Sequence, residues 1–275
     1  MKRSIDPVSV GLKVWTVAML AFLCIPIVIV VAWSFNTANF LVFWETWGLR
    51  WWRTAFDNES LRDSVRTSFV VAALSTVIAV VIGGFGGIAL ARRPGRWVVP
   101  FLVLLFLVLV TPEIVDAISY LLWFTRLRLD DGLLRLAISH SVFGSAIIAF
   151  VVRARLAGLD NSIEDAAADL GATPTRTLRT IILPLAAPGL FAGALLSFTM
   201  SLDNVIVSSF VKTTDTVTFP VYALGSLRTG GPKGDLAVAG TMFLMLTLVS
   251  LFTATYALRR AGGSSREIVG ALAAE

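Results

Sequence analysis

The 275-residue chain holds one cysteine and one histidine. A single cysteine, Cys24, excludes an internal disulfide and any four-cysteine metal site. A single histidine, His140, excludes a histidine-clustered catalytic metal site within the chain. Charge is scarce too: Asp, Glu, Lys and Arg make up 15 % of the residues, against about 25 % in a soluble globular domain. No Walker sequence is present. Gly83, Gly84, Gly86 and Gly87 flank Phe85 inside an apolar stretch with no Lys-Ser/Thr after them, so they make no phosphate loop. Small residues in such a stretch let helices approach closely. The formal net charge of +5 raises nucleic acid as a partner, but no run of four basic residues exists, which argues against it.

What the chain does have is apolar length. Hydrophobic residues are 56 % of the total, and six long runs stand out at 14–33, 68–91, 97–124, 136–152, 185–211 and 236–258. About 20 residues of helix cross the hydrocarbon of a bilayer. The expectation is an all-α integral membrane protein with six transmembrane helices in one domain, 14–258, between tails at 1–13 and 259–275. The fourth run is the weakest, at 17 residues, with Arg135 able to snorkel at its end. The third holds Pro112 and Glu113 and either breaks there or extends past the membrane. The first follows Lys2, Arg3 and Lys13 but lacks a small-residue cleavage site directly after it, so it reads as a retained helix and not a signal peptide.

Charge gives the orientation. With both termini in the cytoplasm, 13 of the 23 Lys and Arg residues fall inside, and the short loop around Arg92, Arg93 and Arg96 carries no acid. The external segment 36–66 contains Trp44, Trp47, Trp51 and Trp52. The spacing of the first three predicts one helical face, hence an interfacial helix that also offers a docking surface to an external protein. A second external segment, 212–235, is broken at Thr218-Phe219-Pro220 and closed by a turn at 228–234.

Between the fourth and fifth runs lies a polar island, 153–184, with Arg153, Arg155, Arg176 and Arg179. Asp160, Asn161 or Ser162 caps a helix whose first turn holds Glu164 and Asp165, where carboxylates favour the dipole. Ala166, Ala167 and Ala168 are strong helix formers with small side chains, followed by Asp169 and an apolar contact residue, Leu170. Gly171 permits a left-handed backbone at the helix end. A second short helix follows Pro174, and Pro184 opens the next span. Two short helices of this size bury no core of their own; they suit a lever gripped by another protein.

The spacing Asp165-Ala166-Ala167, three residues, Gly171, nine residues, Ile181-x-Leu183-Pro184 resembles the EAA signature of inner-membrane permease subunits of ABC importers. The first acid is Asp where that family has Glu; Glu164 stands beside it. Over almost its whole length the chain is similar to the second permease of spermidine/putrescine importers, the PotC/PotI type. The shared segments are Ser34-Phe35-Asn36, Pro112-Glu113-Ile114-Val115, Ala154-Arg155-Leu156, Ser201-Leu202-Asp203-Asn204 and Thr218-Phe219-Pro220-Val221-Tyr222. It departs from that pattern at Asp116 (commonly Gly), Asn204 (commonly a second Asp) and near Ser145 (often a proline in the fourth span). The resemblance implies a MetI-like importer-permease bundle in a bacterial inner membrane, with no enzymatic activity and no cofactor of its own. It further implies two copies of a cytoplasmic ATPase that bind ATP and Mg, a related second permease, and an extracytoplasmic substrate-binding protein. The loop is then the element that inserts into the ATPase. Related branches carry ferric iron, thiamine, sulfate, opines or amino-acid-like solutes.

Glu113, Asp116 and Asp203 sit within apolar runs. A carboxylate at the bilayer centre costs about 2.5–3.5 kcal/mol, so each faces a cavity, a partner or the interface. Glu113 and Asp116 are three apart and share a helical face. All three fall in the outer halves of their spans, and with Asn204 and Tyr222 they form the candidate path for a cationic polyamine. Tyr120, Trp123 or Tyr222 would pack its methylenes and favour its amines. The competing reading is structural, with Glu113 capping a helix and Asp203 bonded to its neighbours. His140 reads as a packed, hydrogen-bonded residue. An intramembrane enzyme would need a nucleophile with its base or facing acids, and no serine–histidine or metal pattern accompanies the carboxylates. A channel or carrier working without ATP leaves the lever unexplained.

Overall fold

The computed structural model describes residues 7–39, 43–93, 95–160, 162–231 and 233–260. Among them the regular structure is helical: α1 (Pro7–Trp33), α2 (Arg50–Asp57), α3 (Glu59–Arg92), α4 (Val98–Val110), α5 (Glu113–Arg126), α6 (Gly132–Ala157), α7 (Ser162–Asp169), α8 (Pro174–Thr177), α9 (Leu183–Leu202), α10 (Ile206–Val211), α11 (Phe219–Gly230) and α12 (Gly234–Arg260). Five helices are long and apolar enough to cross a membrane. The helices α4 and α5 meet the same test only as a pair, which is bent by 102° at its break and makes up to six spans if counted as one. The chain forms two compact units: residues 1–62 with 223–246, and residues 63–222 with 247–275.

In the first unit, α1 is apolar on every side, and each residue from Val10 to Val30 is exposed. A helix apolar all round needs lipid or partner helices about it. After α1 the chain folds back through the side chain of Asn36. Its Nδ2 donates to the Phe43 carbonyl at 2.7 Å, and its Oδ1 accepts the Glu45 and Ala38 amides at 3.0 and 3.3 Å. Asn36 and Trp47 form an isolated antiparallel bridge. The expected single helical face of Trp44, Trp47 and Trp51 is therefore corrected: Trp44 and Trp47 lie in non-helical chain, and Trp51 is in α2 beside Trp52. The indoles still meet. Trp44 stacks edge-on against Trp33 and Trp47 at 5.6 and 4.7 Å, and Trp51 Nε1 donates to the Ala38 carbonyl at 2.7 Å. Asn36 supplies turn hydrogen bonds that compete with helix.

In the second unit, α6 is the buried centre: Leu136, Ile148, Val152 and Leu156 are fully buried. Asp131 caps it, accepting the Leu134 amide at 3.0 Å. The fourth apolar run looked short because Arg135 and Arg153 bound it, yet the helix continues past both, and it carries Ser139, His140, Ser141 and Ser145 within it. These face the interior of the unit and are buried, so the helix reaches 26 residues. Helix α9 packs along α6, with Gly193 against Ile148. Gly83 and Gly87 of α3 meet the α6 backbone, and Gly84 meets Leu190.

Prolines bear on the remaining boundaries. The third run breaks at Thr111-Pro112, the first of its two expected outcomes. The residue before proline is held extended and proline brings no N–H to a helix; ψ is 131° at Thr111 and 129° at Pro112. Pro184, in contrast, separates nothing: Pro174 opens one 29-residue helix, Pro174–Leu202, that runs through it. A π turn at Leu178–Ile182, in which the Leu183 amide bonds the Leu178 carbonyl, widens the helix just ahead of Pro184. The expected second short helix is thus the first turn of the fifth span. At the fifth span's other end the helix stops at Leu202 and α10 resumes at Ile206. Thr218-Phe219-Pro220 begins α11, with the Tyr222 amide bonding the Thr218 carbonyl at 2.9 Å.

Candidate functional site

The two helix breaks meet at a cavity of about 490 Å³. Glu113 and Asp116 lie in the first turn of α5, where free backbone amides favour negative charge. Asp203 terminates α9 with φ −92° and ψ −1°. Asn204 bridges the two breaks: its Nδ2 donates to Glu113 Oε1 at 2.5 Å, and its Oδ1 accepts the Ser208 amide at 3.1 Å. Glu113, Asp116, Asp203, Asn204 and Tyr120 all line the cavity, and its lining contains no Lys or Arg. Tyr222 and Trp123 are not in the lining.

The opposite wall was not foreseen from the sequence. Ser139, His140, Ser197 and Ser201 complete it. His140 is 7 % exposed and bonded through both ring nitrogens: Nδ1 lies 2.7 Å from Ser201 Oγ and Nε2 lies 3.1 Å from Ser208 Oγ. Ser75 of α3 also reaches Ser201, at 3.2 Å. The signal was present as polar residues four apart in apolar runs, Ser197 with Ser201 and Ser141 with Ser145. Among the described residues no group of three or more His, Cys, Asp or Glu side chains is arranged to hold a metal.

The polar island forms at the other end of α3 and α6. Asp160 Oδ1 accepts the Ser162 amide at 3.0 Å, opening α7; Asn161 lies outside the described residues. Asp165, Ala166 and Asp169 are exposed, whereas Ala167 is buried. Glu164 points back and pairs with Arg92 of α3 at 2.7 Å. At the helix end Gly171 has φ +80°, the Gly171 amide bonds the Ala168 carbonyl and the Ala172 amide bonds the Ala167 carbonyl, both at 2.9 Å. That is a Schellman closure, which favours glycine at this position. It leaves Leu170 89 % exposed, with Leu183 half-buried and Pro184 exposed further on.

Broken spans, a polar cavity and an exposed short helix between spans define an importer-permease bundle. The chain belongs to the family described as binding-protein-dependent transport system inner membrane component, whose model matches residues 79–261. It is thus a multi-pass inner-membrane transport permease, moving solute delivered by a binding protein.

Within that family it is similar to the spermidine/putrescine permease PotC of Escherichia coli, 38 % identical over 84 % of this chain and 88 % of PotC. It is also similar to the putrescine permease PotI of the same organism, 32 % identical over 90 % of this chain and 92 % of PotI. The fold is shared with a chain of a bacterial alginate ABC transporter crystallised with an alginate-loaded periplasmic protein. There the TM-score is 0.75 at 14 % identity, covering 94 % of this chain and 95 % of that one. The MetNI methionine transporter is also similar, with TM-score 0.57 at 20 % identity over 73 % of this chain and 94 % of that one.

Proposed function

We propose that the chain is one permease of an ATP-driven importer for polyamines such as spermidine and putrescine. The observation that carries this reading is the cavity: three carboxylates and, among the described residues, no lysine or arginine in its lining, with the Tyr120 ring in the same wall. Carboxylates supply counter-charge for protonated amines, and aromatic rings pack the methylenes between them. The bond from Asn204 to Glu113 leaves Asp116 and Asp203 as the less committed charges. Weak, multiple contacts suit a passage, since a tight site would trap its solute. The similarity to PotC and PotI supports the same cargo class.

The remainder of the machine follows the family's architecture. A related second permease completes the path, an extracytoplasmic binding protein delivers the solute, and two copies of a cytoplasmic ATPase bind ATP and Mg. Residues 153–184 dock on that ATPase, with Asp165, Ala166, Asp169 and Leu170 outward and Gly171 setting the exit angle. Residues 14–258 form the permease domain, and both tails, 1–13 and 259–275, are cytoplasmic.

The test is uptake and ATP hydrolysis in vesicles holding the assembled importer. Binding protein loaded with putrescine or spermidine is expected to stimulate hydrolysis, and stimulation by neither rejects the polyamine assignment. Glu113→Gln and Asp203→Asn should each slow uptake about fivefold, the effect of roughly 1 kcal/mol of attraction at water-like screening. Normal uptake in both variants removes them from the path.

A further inference from the structure

Arg92 is the last residue of α3, yet its side chain is only 7 % exposed. An arginine at the end of an apolar span ordinarily reaches for water or headgroups; this one folds inward. Its Nε lies 2.7 Å from Glu164 Oε1 in the first turn of α7, and its Nη1 donates to the Leu159 carbonyl at 3.1 Å. One planar guanidinium holds both groups, which a lysine could not do with the same geometry. Beneath it the ends of α3, α6 and α9 share one apolar cluster through Ile88, Leu156 and Ile182. Helix α7 therefore has two faces. Glu164 and Ala167 turn toward the bundle, while Asp165, Ala166 and Asp169 are exposed.

Helix α3 continues from this contact to the cavity wall. Ser75 bonds Ser201, which bonds His140. The 17 residues between Ser75 and Arg92 span about 26 Å of helix at 1.5 Å per residue.

We propose that the Arg92–Glu164 pair is a strut that carries displacement of α7 into α3, and along α3 to the Ser75–Ser201–His140 contact at the cavity. The proposal rests on the reading of 153–184 as the ATPase-coupling loop. It assigns Glu164 to a contact within the permease, leaving Asp165 as the acid offered to the ATPase. A shielded ion pair suits this role because removing one partner strands the other charge, so the pair resists separation under load. Arg92 is a positioning residue that touches neither solute nor nucleotide.

The test uses the full chain in lipid nanodiscs and the assembled importer in vesicles, with Arg92→Gln, Glu164→Gln and the charge-swapped Arg92→Glu/Glu164→Arg. Hydrogen exchange over 162–171 of the full chain is expected to quicken about tenfold in each single variant, equivalent to ~1.4 kcal/mol of lost local stability. Unchanged exchange overturns the strut. This readout needs no ATPase, so it separates failure of the strut from failure of the coupling-loop reading, in which the unaltered chain would neither retain nor stimulate an ATPase. In vesicles, Arg92→Gln is expected to keep the ATPase bound while the ATP hydrolysed per solute moved rises about tenfold, as a contact worth ~1.4 kcal/mol predicts. The swapped pair restores the ion pair but not the bond to the Leu159 carbonyl, so it is expected to recover part of that loss. An unchanged ratio, no recovery on swapping, or loss of the ATPase from the Arg92→Gln complex each overturns the proposal.

Discussion

Replacing His140 with alanine tests whether the cavity wall is held as a network. The imidazole joins α6 to both sides of the break in the fifth span, through Ser201 before it and Ser208 after it, at 2.7 and 3.1 Å. Two neutral hydrogen bonds are worth about 1 kcal/mol each net. The space vacated by the ring opens onto the existing cavity of about 490 Å³, so water can enter and re-pair the hydroxyls, which limits any further void penalty. The expected loss is ~2 kcal/mol, because Ser201 keeps Ser75 at 3.2 Å and Ser208 keeps Asn204 Oδ1 at 3.5 Å. His140→Gln, which offers one donor and one acceptor group, should lose under ~1 kcal/mol. The triple change His140→Ala/Ser201→Ala/Ser208→Ala removes the stranded partners as well. It should therefore fall short of the summed single losses by ~1 kcal/mol or more. Equilibrium unfolding in mixed micelles, followed by tryptophan fluorescence, measures each variant. A His140→Ala loss below ~0.5 kcal/mol, or strict additivity in the triple variant, would refute the network.

Two further outcomes test packing and the loop after α1. A Cβ at Gly87 would sit 2.7 Å from the Ala149 carbonyl oxygen and 2.9 Å from Val152 Cβ, whereas one at Gly86 meets nothing within 4 Å. Gly87→Val should therefore cost ~1–3 kcal/mol by overpacking and Gly86→Val almost nothing; equal unfolding midpoints would contradict the α3–α6 contact. Asn36→Ala removes one donor and two acceptor contacts from the chain between α1 and α2, a loss of ~2–3 kcal/mol. Trp44 should then detach from Trp33 and Trp47, seen as a red-shifted tryptophan emission; an unchanged spectrum would count against it.

The apolar spans and the short helix closed at Gly171 were legible because each is a local signal: apolar length in one case, glycine and alanine chemistry in the other. Gly171 at φ +80° is a position where sequence dictates backbone directly. The misreadings have one cause. Trp44, Trp47 and Trp51 have helical spacing, but Asn36, eight or more residues earlier, outcompetes helix for the backbone of 43–45. Pro184 looks like a boundary, yet the π turn just ahead of it keeps the helix continuous. His140, Ser197 and Ser201 were illegible as a wall because their partners lie 61 or more residues away, or across a helix interface. Tyr222 was grouped with the carboxylates because its ring could pack a polyamine's methylenes, and the cavity lining does not include it.

The placement of the carboxylates explains why they can stand in apolar spans at all. Glu113 and Asp203 are not mid-helix charges: one opens α5 and the other closes α9. Irregular backbone at membrane depth is tolerated where it lines a cavity, because its unpaired amides and carbonyls can then be solvated or bonded. The same breaks that would otherwise be unaffordable in lipid thus create the space the charges need. Proline makes the first break through its missing N–H. The second is held by Asn204 within it, which satisfies Ser208 and Glu113 together. An asparagine can donate to Glu113 where an aspartate could not, so at this one position the chain trades a counter-charge for a tie between two broken spans.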